Sequence, residues 1–264
     1  MAVPFSKVPA YARERPAELH RVPMIETRYL AFNTQHPALK GRARWALALA
    51  IDRPKIVERV LQGGQTAAFH FLPAILRGEG GSPHPMTQFR PVDARQYLTD
   101  AGFPGGRGFP KLELSGWTQS QVLEAVQQMW RTELGIEVAI VVREAKVHLD
   151  ALRTGNFDIA FATSIPEVAD PAAMLADFTS DAPLNYPRWS SEAFDADLRQ
   201  AGSEGRALHR KEHFAQADND LLSSSPVTPL YFNTKVSLMS PRLRGWQEDG
   251  LWARCYQQVF LDEK

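Results

Sequence analysis

The middle of this 264-residue chain alternates three strand-like segments with two helix-like ones, and this order limits the possible folds more than any other feature. The segments "KLELSGW", "IEVAIVV" and "FDIAFAT" have the apolar content of buried strands. Between them, residues 118–134 and 146–154 carry apolar residues at helical spacing, and each run stops at a glycine. Such an order is typical of a parallel sheet, because parallel strands need a crossover that returns the chain to the same end of the sheet. The predicted fold class is therefore α/β, with a mainly parallel sheet flanked by helices.

The flanking regions are predicted to add extended segments and several helices. "TRYLAFNT" (27–34) favours a short strand, and "LYFNTKVSLMS" favours a final extended segment. Asp52 and Asp93 stand where helix N-caps are expected, each before an apolar stripe. Residues 204–222 predict the longest helix. Glycine and proline punctuate residues 63–92, for which we expect a long loop.

Charge and hydropathy argue against two classes of partner. Thirty basic residues balance thirty acidic ones, and the two signs are mixed along the chain, so nothing favours nucleic acid or an anionic membrane surface. No apolar run approaches the roughly 20 residues that span a bilayer.

The N-terminus lacks the apolar middle of a secretory signal, which predicts either a cytoplasmic protein or a numbering that begins after a removed segment. The one cysteine, Cys255, has no intrachain disulfide partner and is expected to be a small packed residue.

A ligand site is expected at the ends of the three middle strands. Open parallel sheets bind ligands beyond the carboxyl ends of their strands, where loops enter helices and free backbone N–H groups converge. This rule selects the stretches 115–118, 143–145 and 163–170. Trp117 offers a flat apolar face with one N–H donor, although packing in the core is an equally good interpretation. Glu167 is either a carboxylate that the third strand delivers to the crevice or a solvated loop acid.

Other candidate motifs favour structural roles. Asp170 directly precedes Pro171 and is better explained as a helix cap than as a ligand contact. His209 and His213 have a spacing that can hold zinc, but "HRKEH" lacks the adjacent glutamate and carries basic residues that repel a cation. "GFPGGRGFP" lacks the context of a phosphate-binding loop and predicts a turn. The sequence therefore predicts no catalytic residues, no metal site and no cofactor.

Five sequence blocks, which together cover about residues 27–250, occur in a distinctive order and spacing. The first is "YLAFNTQHP…GRARWALALAIDRPKIVERVLQGG", and the next is "ARQYLTDAGFPGGRGFPKLEL". "LGIEVAIVV", "LRTGNFDIAFAT" and "PLYFNTKVSLMSPRLRGW" follow. Together they resemble the oligopeptide/dipeptide-binding family of ABC-transporter solute-binding proteins. The matching residues of the first block are Phe32, Asn33, Ala50, Ile51, Asp52, Arg53, Ile56 and Val57.

The resemblance implies one lobe of a periplasmic-binding-protein-like (type II) fold. Members of the family have two lobes that close around a solute, so the N-terminal lobe and its signal or lipid anchor are expected to lie outside this chain. The implied organisation is an arm or truncated connection over residues 1–26, a C-terminal solute-binding lobe with hinge-crossing strands over 27–250, and a tail over 251–264.

The resemblance also implies a role for the loop after the third strand. In peptide-binding members an acid in this loop pairs with the α-amino group of the ligand, and Glu167 stands at that position where aspartate is usual. The added methylene shifts the carboxylate outward. Aromatic and basic positions of some members fall here on Ala145, Leu152 and Ser164, which indicates a different or smaller solute than an ordinary oligopeptide. The expected ligand-binding residues are Glu167, Trp117, Thr163, Ser164, Ile165 and Asn233.

Two functions of different classes follow from this interpretation. The leading hypothesis is non-catalytic capture of a peptide or other small solute in the periplasm or outside the cell, with delivery to the membrane subunits of an ABC permease. The alternative is the same lobe as the solute-sensing domain of a transcriptional regulator. A hydrolytic enzyme is a third and weaker hypothesis, because no catalytic constellation supports it. The identity of the solute cannot be predicted from the sequence.

Overall fold

The computed structural model describes residues 3–4, 7–78, 80–247, 250–252 and 256–262. Cys255, predicted to be a packed residue, lies outside the described residues. The described helices are α1 (Val8–Glu14), α2 (Arg42–Leu49), α3 (Arg53–Lys55, continued by a π-helical turn over Ile56–Leu61), α4 (Ala74–Arg77), α5 (Pro91–Asp100), α6 (Gln121–Leu134), α7 (Ala145–Thr154), α8 (Ala172–Leu175), α9 (Glu192–Ser203) and α10 (Ala207–Ser224). The described strands are β1 (Leu19–Phe32), β2 (Thr66–Ala67), β3 (Leu112–Gly116), β4 (Val138–Val142), β5 (Ile159–Ser164), β6 (Val227–Leu238), β7 (Leu243–Arg244) and β8 (Phe260–Leu261).

The three middle strands lie side by side and run in one direction. β3 pairs in parallel with β4 along its whole length and with β5 at Leu114 and Ser115. Within the described residues the main sheet has six strands in the order β2-β6-β1-β5-β3-β4. β1 is antiparallel to β5 and β6, and β2 is antiparallel to β6, so β3, β4, β5 and β6 point the same way. The predicted α/β class with a mainly parallel sheet is confirmed.

The strand predicted from residue 27 begins earlier, at Leu19, and the segment before it contains helix α1. The early half of β1 pairs with the end of β6, from Leu19 with Leu238 to Pro23 with Thr234. The ladder between the two strands shifts register between Pro23 and Thr27. Proline is tolerated at such an irregularity because it has no N–H to donate to a ladder. Pro23 therefore marks an irregularity in β1 without ending the strand.

Two further local predictions, the long loop over residues 63–92 and the helix cap at Asp93, differ from the structure. Residues 63–92 contain strand β2 and helix α4 as well as loop. Helix α5 begins at Pro91, and Asp93 lies in its first turn, where it pairs with Arg90. Proline is favoured at the first helical position because its missing N–H would have no partner there. The predicted cap at Asp52 is confirmed, since its side chain accepts a hydrogen bond from the backbone N–H of Lys55 at 3.0 Å.

Helices cover both faces of the sheet, and alternate residues of β1 and β5 contribute to two separate cores. One core contains α2, α5 and α6 and receives from these strands Leu30, Phe32, Ile159 and Phe161. The other contains α8, α9 and α10 and receives Tyr29, Ala31, Ala160 and Ala162. This alternation follows from the two-residue period of a strand. None of the described helices combines the length and hydropathy needed to cross a lipid bilayer.

Caps at the starts of α6 and α7 determine where the chain leaves the strand ends. Ser120 accepts a hydrogen bond from the N–H of Val122 at the start of α6. Glu144 accepts from the N–H groups of Lys146 and Val147 at the start of α7. Helix α7 ends at Gly155, whose positive φ of 75° favours glycine. As a result the loops after β3 and β4 are short and both enter helices at the same edge of the sheet.

Candidate ligand site at the strand ends

Trp117 lies directly after β3, at the edge of the sheet where the parallel strands end. Its ring stacks on Phe161 of β5, with centroids 5.1 Å apart and planes 9° from parallel. The His148 ring contacts it at 5.6 Å between centroids. The indole is only partly buried. Trp117 lines a pocket on each side of itself, so it is both a packed residue and a wall of the candidate site.

The pocket between Trp117 and helix α7, here called the apolar pocket, has a volume of about 230 Å³. It is lined by Trp117, Ala145, His148, Leu149, Leu152, Ala162, Thr163 and Tyr186. Most of these side chains are aliphatic or aromatic. Such a pocket suits an apolar side chain of a ligand, because burying apolar surface is favourable and demands no polar partner.

The second pocket, here called the basic pocket, lies on the other side of Trp117 and has a volume of about 650 Å³. Its lining includes two cations, Arg28 on β1 and Arg59 on the turn after α3. Residues at the start of α6, from Gln119 to Val122, form another wall. The N-terminus of a helix carries partial positive charge and unpaired N–H groups. All of these groups favour an anionic part of a ligand.

Burial shifts the pKa of two groups that flank the pockets. His148 donates from Nε2 to the carbonyl oxygen of Phe161 at 2.9 Å. Burial lowers the pKa of His148, against the opposing effect of this hydrogen bond, so the imidazole is neutral at pH 7. Its Nδ1 atom is buried and has no hydrogen-bond partner among the described residues. Burial raises the pKa of Tyr231, which lines the basic pocket, to about 12.

A buried acid lies beneath the basic pocket. Glu26 is fully buried and pairs with Arg28, with 2.5 Å between Oε1 and Nε. Thr163 and Asn233 donate hydrogen bonds to the Glu26 carboxylate at 3.2 and 2.9 Å. The Arg28 guanidinium carbon lies 5.3 Å from the centroid of the Trp117 ring. These contacts connect β1, β5 and β6 at the floor of the site.

Three of the residues predicted from the sequence lie together at this site. Trp117 and Thr163 line the apolar pocket, and Trp117 and Asn233 line the basic pocket. The other three predicted residues, Ser164, Ile165 and Glu167, line neither pocket.

Ser164 is buried in the sheet, whereas Ile165 and Glu167 are exposed on the loop that follows β5. Ligand contact by all six residues stays a prediction. Asp170 accepts a hydrogen bond from the N–H of Ala172 at 2.8 Å, which is the capping role expected from its position before Pro171. It also pairs with Arg210.

The histidines considered for zinc have other partners. His213 contacts the Asp197 carboxylate at 3.1 Å, and His209 lies 3.6 Å from Glu204. Across the described part of the chain, no group of three or more metal-binding side chains comes together.

The sequence analysis did not identify several residues of the site, namely Glu26, Arg28, Arg59, His148 and Tyr231. The signal for the first two was present, because "MIETRYLAF" places an acid and a base two residues apart in an otherwise apolar strand. Residues two apart in a strand share a face, and charges rarely lie on a buried strand without pairing. The other three come from distant segments, and only the folded sheet brings them to its edge.

The model of the bacterial extracellular solute-binding proteins, family 5 (Middle), matches residues 2–186 of the chain, which is more than half of its length. The chain belongs to this family. The periplasmic murein peptide-binding protein MppA of Escherichia coli is 31% identical over 242 residues, which make up 89% of this chain and 45% of that protein. The periplasmic oligopeptide-binding protein OppA of Salmonella typhimurium is 29% identical over 89% of this chain and 44% of its own length.

A solved structure of a family member has the same architecture. The Escherichia coli murein tripeptide binding protein MppA superposes with a TM-score of 0.88 at 29% identity, covering all of this chain and 53% of that one. The chain thus spans about half the length of the relatives it matches. Both relatives are named as periplasmic binding proteins, and neither is named as an enzyme or a regulator. The predicted family is confirmed.

Proposed function

We propose that this chain is the C-terminal lobe of the substrate-binding component of an ABC importer for peptides or related small solutes. It captures the solute without catalysis, outside the cytoplasmic membrane, and delivers it to the permease subunits. In the proposed organisation residues 27–250 form the solute-binding lobe, the connection of residues 1–26 supplies the first part of β1 to its sheet, and the tail of residues 251–264 contacts Glu26 through Trp252. A second lobe supplies the opposite wall of the cleft, in keeping with the greater length of the relatives.

The observation that carries this proposal is the position of Trp117 between two pockets of opposite character. Both pockets lie beside Trp117, where β3 ends, and the apolar pocket also includes residues at the ends of β4 and β5. Ligands of α/β sheets bind at this edge of the sheet. A peptide has an apolar side chain, an extended backbone and charged ends. The apolar pocket suits the side chain, and the basic pocket suits an anionic end.

The remaining contacts come from the end of β5 and the loop after it. Thr163 and Ser164 are the last two residues of the strand and Ile165 follows them, so an extended ligand can lie along their backbone groups as an added strand does. Glu167 is exposed beyond them and is free to turn toward a ligand amine. An ion pair formed there gains strength when the second lobe closes, because the dielectric constant falls as water leaves the cleft.

The test measures binding of the tripeptide Ala-Phe-Ala to the chain by calorimetry, with Trp117→Ala as the variant. We expect weak binding by the chain alone, because it presents only one wall of the cleft. The Trp117→Ala change is expected to weaken this binding about tenfold or more, as loss of an aromatic anchor does at a binding surface.

Trp45→Ala is the matched control, since Trp45 is also partly buried but packs on Tyr97 away from both pockets. The affinity of the Trp45→Ala variant for Ala-Phe-Ala should equal that of the unaltered chain. Absence of any peptide binding would contradict the proposal, as would equal loss in the two variants. Tight binding by the isolated chain would show that no second lobe is needed.

A further inference from the structure

The side chain of Glu26 is the centre of a polar cluster that joins four segments of the chain. It pairs with Arg28 on its own strand and accepts hydrogen bonds from Thr163 of β5 and Asn233 of β6. A fourth contact comes from the Nε1 atom of Trp252, which donates to Oε2 at 2.9 Å. A fully buried carboxylate is stable only when it is paired and hydrogen-bonded, and this one is.

The segment that carries Trp252 enters where the pairing of β1 with β6 is interrupted. The ladder between these strands breaks between Pro23 and Thr27. In this gap the N–H of Ile25 donates to the carbonyl oxygen of Gly250 at 2.7 Å. Gly250 has a φ of 76°, and a Cβ atom there would lie 3.2 Å from the carbonyl oxygen of Pro23. The close approach places Trp252 against the Glu26 carboxylate.

The contact with Glu26 determines how Arg28 is presented. Glu26 pairs with Nε, the guanidinium nitrogen nearest the backbone. The two terminal nitrogens lie at the other end of the group, whose central carbon is 5.3 Å from the centroid of the Trp117 ring, and Arg28 lines the basic pocket. No described residue accepts a hydrogen bond from either of them. Guanidinium has five N–H donors, and four of them are on the two terminal nitrogens. Arg28 can therefore form its ion pair with Glu26 through Nε and still bind an oxyanion with the terminal nitrogens.

We propose that Arg28 is the specificity-determining residue for an anionic group of the solute, and that Glu26 is the positioning residue that aims it into the basic pocket. This inference rests on the proposed function of the chain as a solute-binding lobe. Arg59, the other cation of the pocket, is exposed and has no such anchor in the described part of the structure. A pre-positioned cation loses less side-chain entropy on binding, so Arg28 contributes more discrimination than Arg59.

The experiment compares the tripeptide Ala-Phe-Ala with its C-terminal amide, which lacks the anionic carboxylate. The unaltered chain is expected to bind the acid about tenfold more tightly than the amide at low ionic strength. Added salt should reduce this ratio, because screening weakens the attraction between charges. In Arg28→Gln the ratio of the two affinities should fall to about one.

Two other variants serve as controls for charge and for the rival cation. Arg95→Gln also removes a cation from an ion pair, with Glu133 on α6, away from the basic pocket. The Arg95→Gln variant should keep the full ratio of affinities for the acid and the amide. Arg59→Gln should keep most of the ratio. A ratio that survives in Arg28→Gln, or that is lost in Arg59→Gln alone, overturns the inference.

The role of Glu26 is tested by Glu26→Gln, which keeps the size of the side chain and removes its charge. A positioning role predicts that the acid-to-amide ratio falls about threefold or more, a change that loss of stability alone would not produce. If Glu26→Gln does not fold, Arg28→Lys gives the same test, because lysine keeps the charge but has no nitrogen at the position of Nε, the atom that forms the ion pair with Glu26. A full ratio in Arg28→Lys would contradict positioning by Glu26.

These outcomes are distinct from failure of the proposed function. If the unaltered chain binds neither peptide, the proposed function and this inference both fail. If it binds both peptides equally, solute capture stands and the role of Arg28 is refuted.

Discussion

Asp177 is a carboxylate whose surroundings oppose its charge. It is half-buried in the short helical turn after α8, close to Tyr29 and Tyr186. Burial raises the pKa of Asp177 to about 6, from an ordinary value of about 4. The folded protein therefore binds a proton that the unfolded chain has released, and stability falls as the pH rises from about 4 to 6. Above that window the folded state carries the full cost of the buried charge.

Asp177→Asn should remove this cost. We expect the variant to melt about 2 °C or more above the unaltered chain at pH 7.5, and most of the difference should be lost at pH 4, where Asp177 is protonated in the folded state. Calorimetric melting at the two pH values measures the effect. Asp181→Asn is the control, since Asp181 lies four residues later and is exposed. An equal gain at both pH values would show that the charge of Asp177 is not the cause.

At the scale of single elements, the helix caps are the local features with the clearest energetic consequences. Ser191 accepts a hydrogen bond from the N–H of Phe194 at the start of α9, at 3.3 Å. Ser191→Ala should lower the free energy of unfolding by about 1 kcal/mol. Ser203→Ala, at the other end of α9, should change it by less than about 0.5 kcal/mol, because Ser203 donates to helix carbonyls and caps nothing.

Urea denaturation of the two serine variants measures this difference. Equal values for Ser191→Ala and Ser203→Ala would exclude capping as the stabilising contact of Ser191. Ser120 is a less useful position for the same test, because it caps α6 and also lines the basic pocket. A change there would alter stability and binding together.

At the scale of the whole molecule, the two cores share the strands that separate them. Leu47 lies in the core with α2, α5 and α6, and Phe178 lies in the other. Because β1 and β5 contribute side chains to both, neither core can unfold while the other stays intact. We expect one calorimetric transition, shifted downward by Leu47→Ala and by Phe178→Ala, with losses of about 2–5 kcal/mol. Two transitions, each moved by only one variant, would contradict a single cooperative unit.

The way distant segments meet in the whole molecule explains which parts of the site could be predicted from the sequence. Trp117 and Thr163 follow strands that the sequence pattern identifies, and the rule for strand ends places them correctly at one edge. Glu26 and Arg28 both lie on β1, whereas the strand predicted from the sequence begins at Thr27, so it includes Arg28 and leaves out Glu26. Their partner Trp252 is 226 residues from Glu26 in sequence, and no local pattern relates the two. The contact depends on a break in the β1–β6 ladder, which is a property of the pairing and not of either strand.

By itself the sequence determined the α/β class, the direction of the three middle strands, several helix caps and the family, because hydrophobic period, capping residues and motif order are local properties of a chain. Tertiary structure alone decided that β1 reaches back to Leu19, that Trp117 divides two pockets, and that a buried acid holds Arg28 at the pocket edge. The reason is physical. A strand, a pocket wall and a buried ion pair exist only where residues distant in sequence exclude water together.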